Sequence, residues 1–137
     1  MIECCRACGA ANQVVCARLD SPARCGTCLR SLLPLARPHA LHSRAELEEL
    51  LAGSPLPVVV DFWSPANDCG ALGECELERV ARVRSGGAVV ATLNTQEVPG
   101  AAESFGVSEL PTLIIFRDGR EQARSAGPDF QALLRAV

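Results

Sequence analysis

Val58-Val59-Val60-Asp61-Phe62 is the stretch on which the fold turns. It is an apolar run that does not alternate with polar residues, as a central strand covered on both faces requires. Upstream, Gly53, Pro55 and Pro57 separate it from a helical pattern over 44–52, where Leu47, Leu50 and Leu51 share a face and Ser43 with Glu46 spells a capping box. His39–His42 ahead of that helix reads as a short first strand. Downstream, Asp68 can cap a helix from about Cys69 to Arg84, with Leu72, Leu77, Val80 and Val83 as its apolar positions. Ala88–Asn94 reads as a second buried strand, and Pro99–Phe105 as a short helix stopped by Gly106. Thr112–Phe116 and Arg120–Ser125 flank Asp118-Gly119, a hairpin signal, and Pro128 opens a last helix with Phe130, Leu133, Leu134 and Val137. The order β-α-β-α-β-α-β-β-α predicts an α/β fold whose mixed central sheet is flanked by helices.

The whole chain has 137 residues, 48% hydrophobic and 21% charged, which suits one globular domain with a small appendage and excludes a long disordered chain. No apolar run reaches membrane-span length and MIECCRACG is not a secretory signal, so a cytoplasmic address without a membrane partner is expected. In that reducing compartment, eight Cys read first as metal ligands or redox groups. Six of them lie in the first 28 residues. Charge divides at the same place: residues 1–38 carry five Arg against Glu3 and Asp20, a net of +3, and the remainder nets −6. With so small a total and no basic run, nucleic acid is not an expected partner. Leu32, Leu33, Pro34, Leu35 and Pro38 read as a stiff connection between a first unit, 1–33, and a second, 34–137.

Two cysteine pairs in the first unit have matching spacing, Cys5-Arg6-Ala7-Cys8 and Cys25-Gly26-Thr27-Cys28. A C-x2-C turn brings two thiolates to one ion, and two such turns give four soft ligands in a closed tetrahedron, the donor set of a structural Zn²⁺. Gly9 and Gly26 are the residues expected to supply the backbone freedom of these turns. About 30 residues bury too little apolar surface to fold alone, so one ion would supply much of this unit's stability. Cys4 lacks the pair spacing, and Cys16 reads as a small buried hydrophobe. His39 and His42 read as linker and strand residues.

At Val59-Val60-Asp61-Phe62-Trp63-Ser64-Pro65 the sequence resembles the thioredoxin family at the entry to its active site. Glu109-Leu110-Pro111-Thr112 through Asp118-Gly119 resembles that family's cis-proline loop, next strand and hairpin turn, and the 48-residue separation of Trp63 and Pro111 matches its spacing without a gap. Gly127 falls where the family has a groove glycine. Paired C-x2-C motifs ahead of this domain are similar to the thioredoxin-2 branch. The resemblance implies a thioredoxin fold preceded by a zinc ribbon. It also implies a peptide groove built from Trp63, Leu110, Pro111 and Gly127, and a protein or peptide client. Trp63 reads equally as a core aromatic.

The pattern breaks at the catalytic motif. Asn67 and Gly70 stand where the resemblance would place the attacking and resolving thiols, and Cys69 stands where it would place the proline between them. Disulfide exchange needs one thiolate to attack and a second thiol to release the mixed disulfide. Cys69 and Cys75 on one helix would lie about 9 Å apart along its axis, beyond disulfide reach. Two readings stand for Cys69: an inert small residue, or a reactive monothiol favoured by a helix N-terminus. Asp61 matches the family's buried proton-transfer acid, and Thr92 takes the place of the lysine that accompanies it. The chain is therefore expected to be a redox-impaired binding module. The alternative is a thiol–disulfide oxidoreductase acting through Cys69, with thioredoxin reductase or glutathione as its redox partner.

Overall fold

The computed structural model describes residues 2–5, 7–21, 23–33, 37–65, 70–110 and 112–126, with the backbone alone at 33, 70–76 and 126. The connection at 34–36, Asn67, Asp68, Cys69, Pro111, Gly127 and the helix expected after Pro128 lie outside the described residues.

The N-terminal residues form two antiparallel hairpins, β1 (Ile2–Cys4) with β2 (Ala11–Gln13) and β3 (Ala23–Arg24) with β4 (Ser31–Leu33). A 3-10 turn, Cys16–Arg18, lies between them. Leu32 and Leu33 therefore belong to a paired strand and not to the connection, because residues 31–33 are needed to close the second hairpin.

The remainder builds β5 (His39–Leu41), α1 (Arg44–Gly53), β6 (Val58–Trp63), α2 (Gly70–Val83), β7 (Val89–Asn94), α3 (Ala101–Ser104), β8 (Thr112–Arg117) and β9 (Arg120–Ala126). The sheet order is β5-β7-β6-β8-β9, with β5, β7 and β6 parallel and β8 and β9 antiparallel to their neighbours. The mixed sheet expected from the element order is therefore present, with Val58–Phe62 in its central strand.

Local signals act much as read. The Ser43 hydroxyl accepts from the Glu46 amide at 3.1 Å, while the Glu46 carboxylate reaches back to the His42 amide at 2.7 Å, one residue earlier than in a standard capping box. Asp118 and Gly119 both take positive φ, 52° and 76°, as a type I′ hairpin turn demands. The third helix is shorter than read, because Gly100 at φ 85° starts it late and Phe105 already lies beyond it.

Pleating divides the core. Val58, Val60 and Phe62 face α1 together with Val89, Ala91, Leu93, Ile114 and Phe116, whereas Val59, Val90, Leu113 and Ile115 face Leu77 and Ala81 of α2. Val83, expected on the apolar face of α2, ends the helix 67% exposed. Phe105 fills one end of the α1 side, with its ring centroid 5.8 Å from that of Phe62 and 5.7 Å from that of Phe116.

Val14, Cys16 and Leu19 of the N-terminal segment lie in the same apolar cluster as Leu41, Leu47 and Leu50. Cys16 is 5% exposed, in keeping with its reading as a small hydrophobe. A Cβ built on Gly53 would stand 2.8 Å from the Cys16 Cβ, so only glycine lets α1 approach the 3-10 turn this closely. A polar clasp adds to the apolar contact. Buried Glu3 accepts from Arg37 Nε and Nη2 at 3.3 and 3.1 Å, and its other oxygen lies 2.7 Å from His39 Nδ1. Arg37 Nη2 also donates to the Cys4 carbonyl at 2.8 Å. Burial opposes the Glu3 charge, but His39 and then Arg37 outweigh it and hold the carboxyl below its ordinary range.

Candidate functional site

Each cysteine pair sits in a turn closed by the same two backbone bonds. In the first, the Cys5 amide donates to Ala10 O and the Gly9 amide to Cys5 O, both at 2.8 Å. In the second, the Cys25 amide donates to Arg30 O at 2.8 Å and the Leu29 amide to Cys25 O at 3.0 Å. Gly9 takes φ 75° as expected, but the matching left-handed position of the second turn falls on Leu29, at φ 65°. The expectation for Gly26 is thus corrected. The left-handed residue follows the second cysteine of each pair, and a Cβ on Gly26 would make only an ordinary 3.8 Å contact with Asn12.

The turns bring Cys5, Cys8, Cys25 and Cys28 together, with all four Sγ atoms within 4.8 Å of one another. Cys5 Sγ lies 3.5 Å from Cys28 Sγ and Cys8 Sγ lies 3.7 Å from Cys25 Sγ. Four thiolates at about 2.3 Å from one ion stand about 3.8 Å apart, so the set fits a tetrahedral ion. Cys4 is exposed and stands outside the group.

The surroundings prepare thiolates. The Cys28 amide, Asn12 and the Thr27 amide bring the Cys25 thiol down to about 6, with Thr27 N at 3.4 Å and Asn12 Nδ2 at 3.5 Å from its sulfur. The amides of Cys8 and Ala7 likewise lower Cys5. At Cys8 the Ala10 amide favours the thiolate, but burial and the three neighbouring sulfurs win and push it up to about 11. Four thiolates this close need a cation among them, and a divalent ion reverses that last shift. The four cysteines could therefore hold a metal ion.

Asn12 was not picked out from the sequence. Its Nδ2 donates to Ala10 O at 3.1 Å as well as to Cys25, and its Oδ1 accepts from the Gly26 amide at 3.0 Å. One amide side chain thereby fastens the first turn to the second. An Asn on a short strand carries no sequence signal for that role.

The other candidate residues among those described, Asp61, Trp63 and Leu110, lie at one end of the sheet. Asp61 and Trp63 share the face of Val59, toward α2, and Asp61 stands in register between Thr92 and Leu113. Trp63 ends β6, half-buried, and its carbonyl accepts from the Thr95 amide at 2.8 Å and from its hydroxyl at 3.2 Å. Phe62 pairs with Thr112, so the end of β6 adjoins the start of β8 and the Leu110 loop. Thr112 Oγ1 braces that loop on Glu109 O at 2.6 Å, while Leu110 packs half-buried on the main core. β6 ends here at Trp63, and α2 begins at Gly70. Among the described residues, no helix is long and apolar enough to cross a membrane.

Comparison with known proteins agrees with this geometry. The thioredoxin family model matches residues 39–137. The chain is 35% identical over 79 residues to a thioredoxin of Synechocystis sp., covering 57% of this chain and 73% of that protein. It is 33% identical over 85 residues to the chloroplastic M-type thioredoxin of Spinacia oleracea, covering 58% of this chain and 44% of that longer protein. Among solved structures, a mutant thioredoxin from Halobacterium salinarum NRC-1 superposes with a TM-score of 0.66 at 25% identity, covering 74% of this chain and 88% of that one. The sheet order, the family match and the structural likeness agree: this chain has the thioredoxin fold and belongs to the thioredoxin family.

Proposed function

We propose that this chain is a thioredoxin-2-like protein whose dithiol is impaired and which works in the cytoplasm as a peptide- or protein-binding module. In this reading Cys5, Cys8, Cys25 and Cys28 hold one structural Zn²⁺, since their four closed thiolate positions leave none for a substrate. Trp63, Leu110, Pro111 and Gly127 form the groove for an extended client, paired through backbone bonds. The observation that carries the reading is Asn67 and Gly70 at the two thiol positions, inside a stretch from Trp63 to Pro111 that otherwise keeps the family spacing. Neither residue carries a thiol to form or release a mixed disulfide.

A second reading rests on Cys69, the residue before α2, which begins at Gly70. A thiol there would gain from the helix dipole and could be served by glutathione or a thioredoxin reductase, with Asp61 as its proton-transfer group. Insulin reduction by dithiothreitol, with wild type and Cys69→Ser compared, separates the two. The binding-module reading expects equal, uncatalysed rates. Turnover that disappears in Cys69→Ser would establish the oxidoreductase instead. Elemental analysis is expected to give one zinc per chain, and none in Cys5→Ser/Cys25→Ser.

A further inference from the structure

The N-terminal hairpins enclose a groove of about 290 Å³ that the thioredoxin chemistry does not use. Val14, Val15 and Leu32 are apolar residues of its lining, Arg18 and Arg24 line it as well, and so does Asn12, which also bonds Cys25. Val15 is 57% exposed.

The charges here are unbalanced in a specific way. The first 38 residues net +3, and their two acids are already engaged. Glu3 is clasped by His39 and Arg37, while Asp20 accepts from the Ser21 hydroxyl at 3.4 Å and is not among the groove's lining residues. Neither Arg18 nor Arg24 has an ion-pair partner among the described residues. An apolar strip beside two unpaired guanidinium forks matches a ligand with an apolar body and carboxylates. Arginine binds carboxylate through two parallel bonds, which gives direction as well as attraction. The space is at the lower limit of ligand sites, so it suits a short segment and not a folded surface. An extended peptide alternates its side chains, so it can offer apolar residues to the valines and Leu32 and acids to the arginines.

We propose that this groove is a second peptide site, distinct from the one at the end of β6, and that its ligand is a short extended segment alternating acidic and apolar residues. Asn12 lines the groove and also holds Cys25, so the site is coupled to the cysteine cluster. A peptide bound there tightens the affinity for metal, and metal loss weakens the peptide by the same factor.

The test is fluorescence anisotropy of a fluorescein-labelled hexapeptide of alternating Glu and Leu, titrated with the full-length zinc-loaded chain. The same peptide with Lys for Glu is the control. The acidic peptide is expected to bind at least tenfold more tightly than the basic one, and Arg18→Glu/Arg24→Glu is expected to weaken it tenfold or more. Arg120→Glu, on exposed β9, should leave binding unchanged. Circular dichroism and zinc content check the double variant, and Val15→Glu at an already exposed position provides an independent second loss. Absence of saturable binding below 1 mM, equal binding of both peptides, or undiminished binding by both variants overturns the proposal. Self-association that the double variant abolishes, without peptide binding, overturns it in favour of a second copy of the chain.

Discussion

The two cysteine turns are built to one plan and held in place by different means. Each closes with the same pair of backbone bonds, yet one places Gly9 at its left-handed position and the other Leu29. The first turn grows from a hairpin whose Glu3 is clasped by Arg37 and His39. Among the described residues, the second hairpin has no such clasp and leans on the core only through half-buried Ala23 and Leu32. Equivalent geometry around the four sulfurs therefore does not imply equivalent anchoring. The first turn is fixed from outside the site, whereas the second is fixed largely by the site.

Removing the proposed zinc should expose this difference most strongly. Zinc-binding peptides draw roughly 10 kcal/mol of folding free energy from their ion, so chelation should collapse protection in both turns. Hydrogen exchange is expected to speed up most at the Cys25 and Leu29 amides, less at Cys5 and Gly9, and little in β6, β7 and β8. Equal loss in both turns would show that the Glu3 clasp does not anchor the first. Glu3→Gln then sharpens the comparison. It takes the carboxylate away from Arg37 and His39, costs about 2 kcal/mol, and should make the first hairpin exchange as fast as the second after chelation. The clasp also sets an acid limit. Because the folded-state Glu3 carboxyl is held low, its contribution is present above pH ~4.5 and fades as pH falls through its folded value, and Glu3→Gln should flatten that part of the stability profile.

A smaller effect is expected at Asn12. Asn12→Ala removes the bonds to Cys25 and Gly26 without touching a ligand, and competition with a zinc-responsive dye should report roughly tenfold weaker binding. The smallest effect concerns the left-handed residues. Leu29→Gly relieves a side chain from an unfavourable φ and should raise stability by about 1 kcal/mol, whereas Gly9→Ala should lower it by a similar amount. Urea melts of the zinc-loaded protein check both signs, and a neutral Leu29→Gly would mean that its turn relaxes without strain.

What could be read from the sequence follows the range of the interactions. Val58–Phe62, the Ser43 cap, the Asp118-Gly119 turn and the paired C-x2-C spacing all act within a few residues, and the structure keeps them. The Glu3–His39 pair joins residues 36 positions apart with no periodic pattern to mark it, so His39 reads as an ordinary strand residue although it is nine-tenths buried. Leu29 was missed because a backbone position with positive φ is inferred from glycine, and here a leucine occupies it. Gly53 reads correctly as a helix end, but its closer duty, leaving room for Cys16, is visible only when the two segments meet. Asn12 does its work through three bonds to the loops around it, and no spacing rule describes that arrangement.

The sharing of one apolar cluster by Val14, Cys16, Leu19 and the face of α1 also governs how the molecule comes apart. A ribbon tethered to an independent neighbour would melt separately, giving two endotherms. Here the segment covers side chains of α1 and β5, so neither part keeps its full burial when the other leaves. With metal bound, a scanning calorimeter should record a single cooperative transition, and the calorimetric and van't Hoff enthalpies should agree.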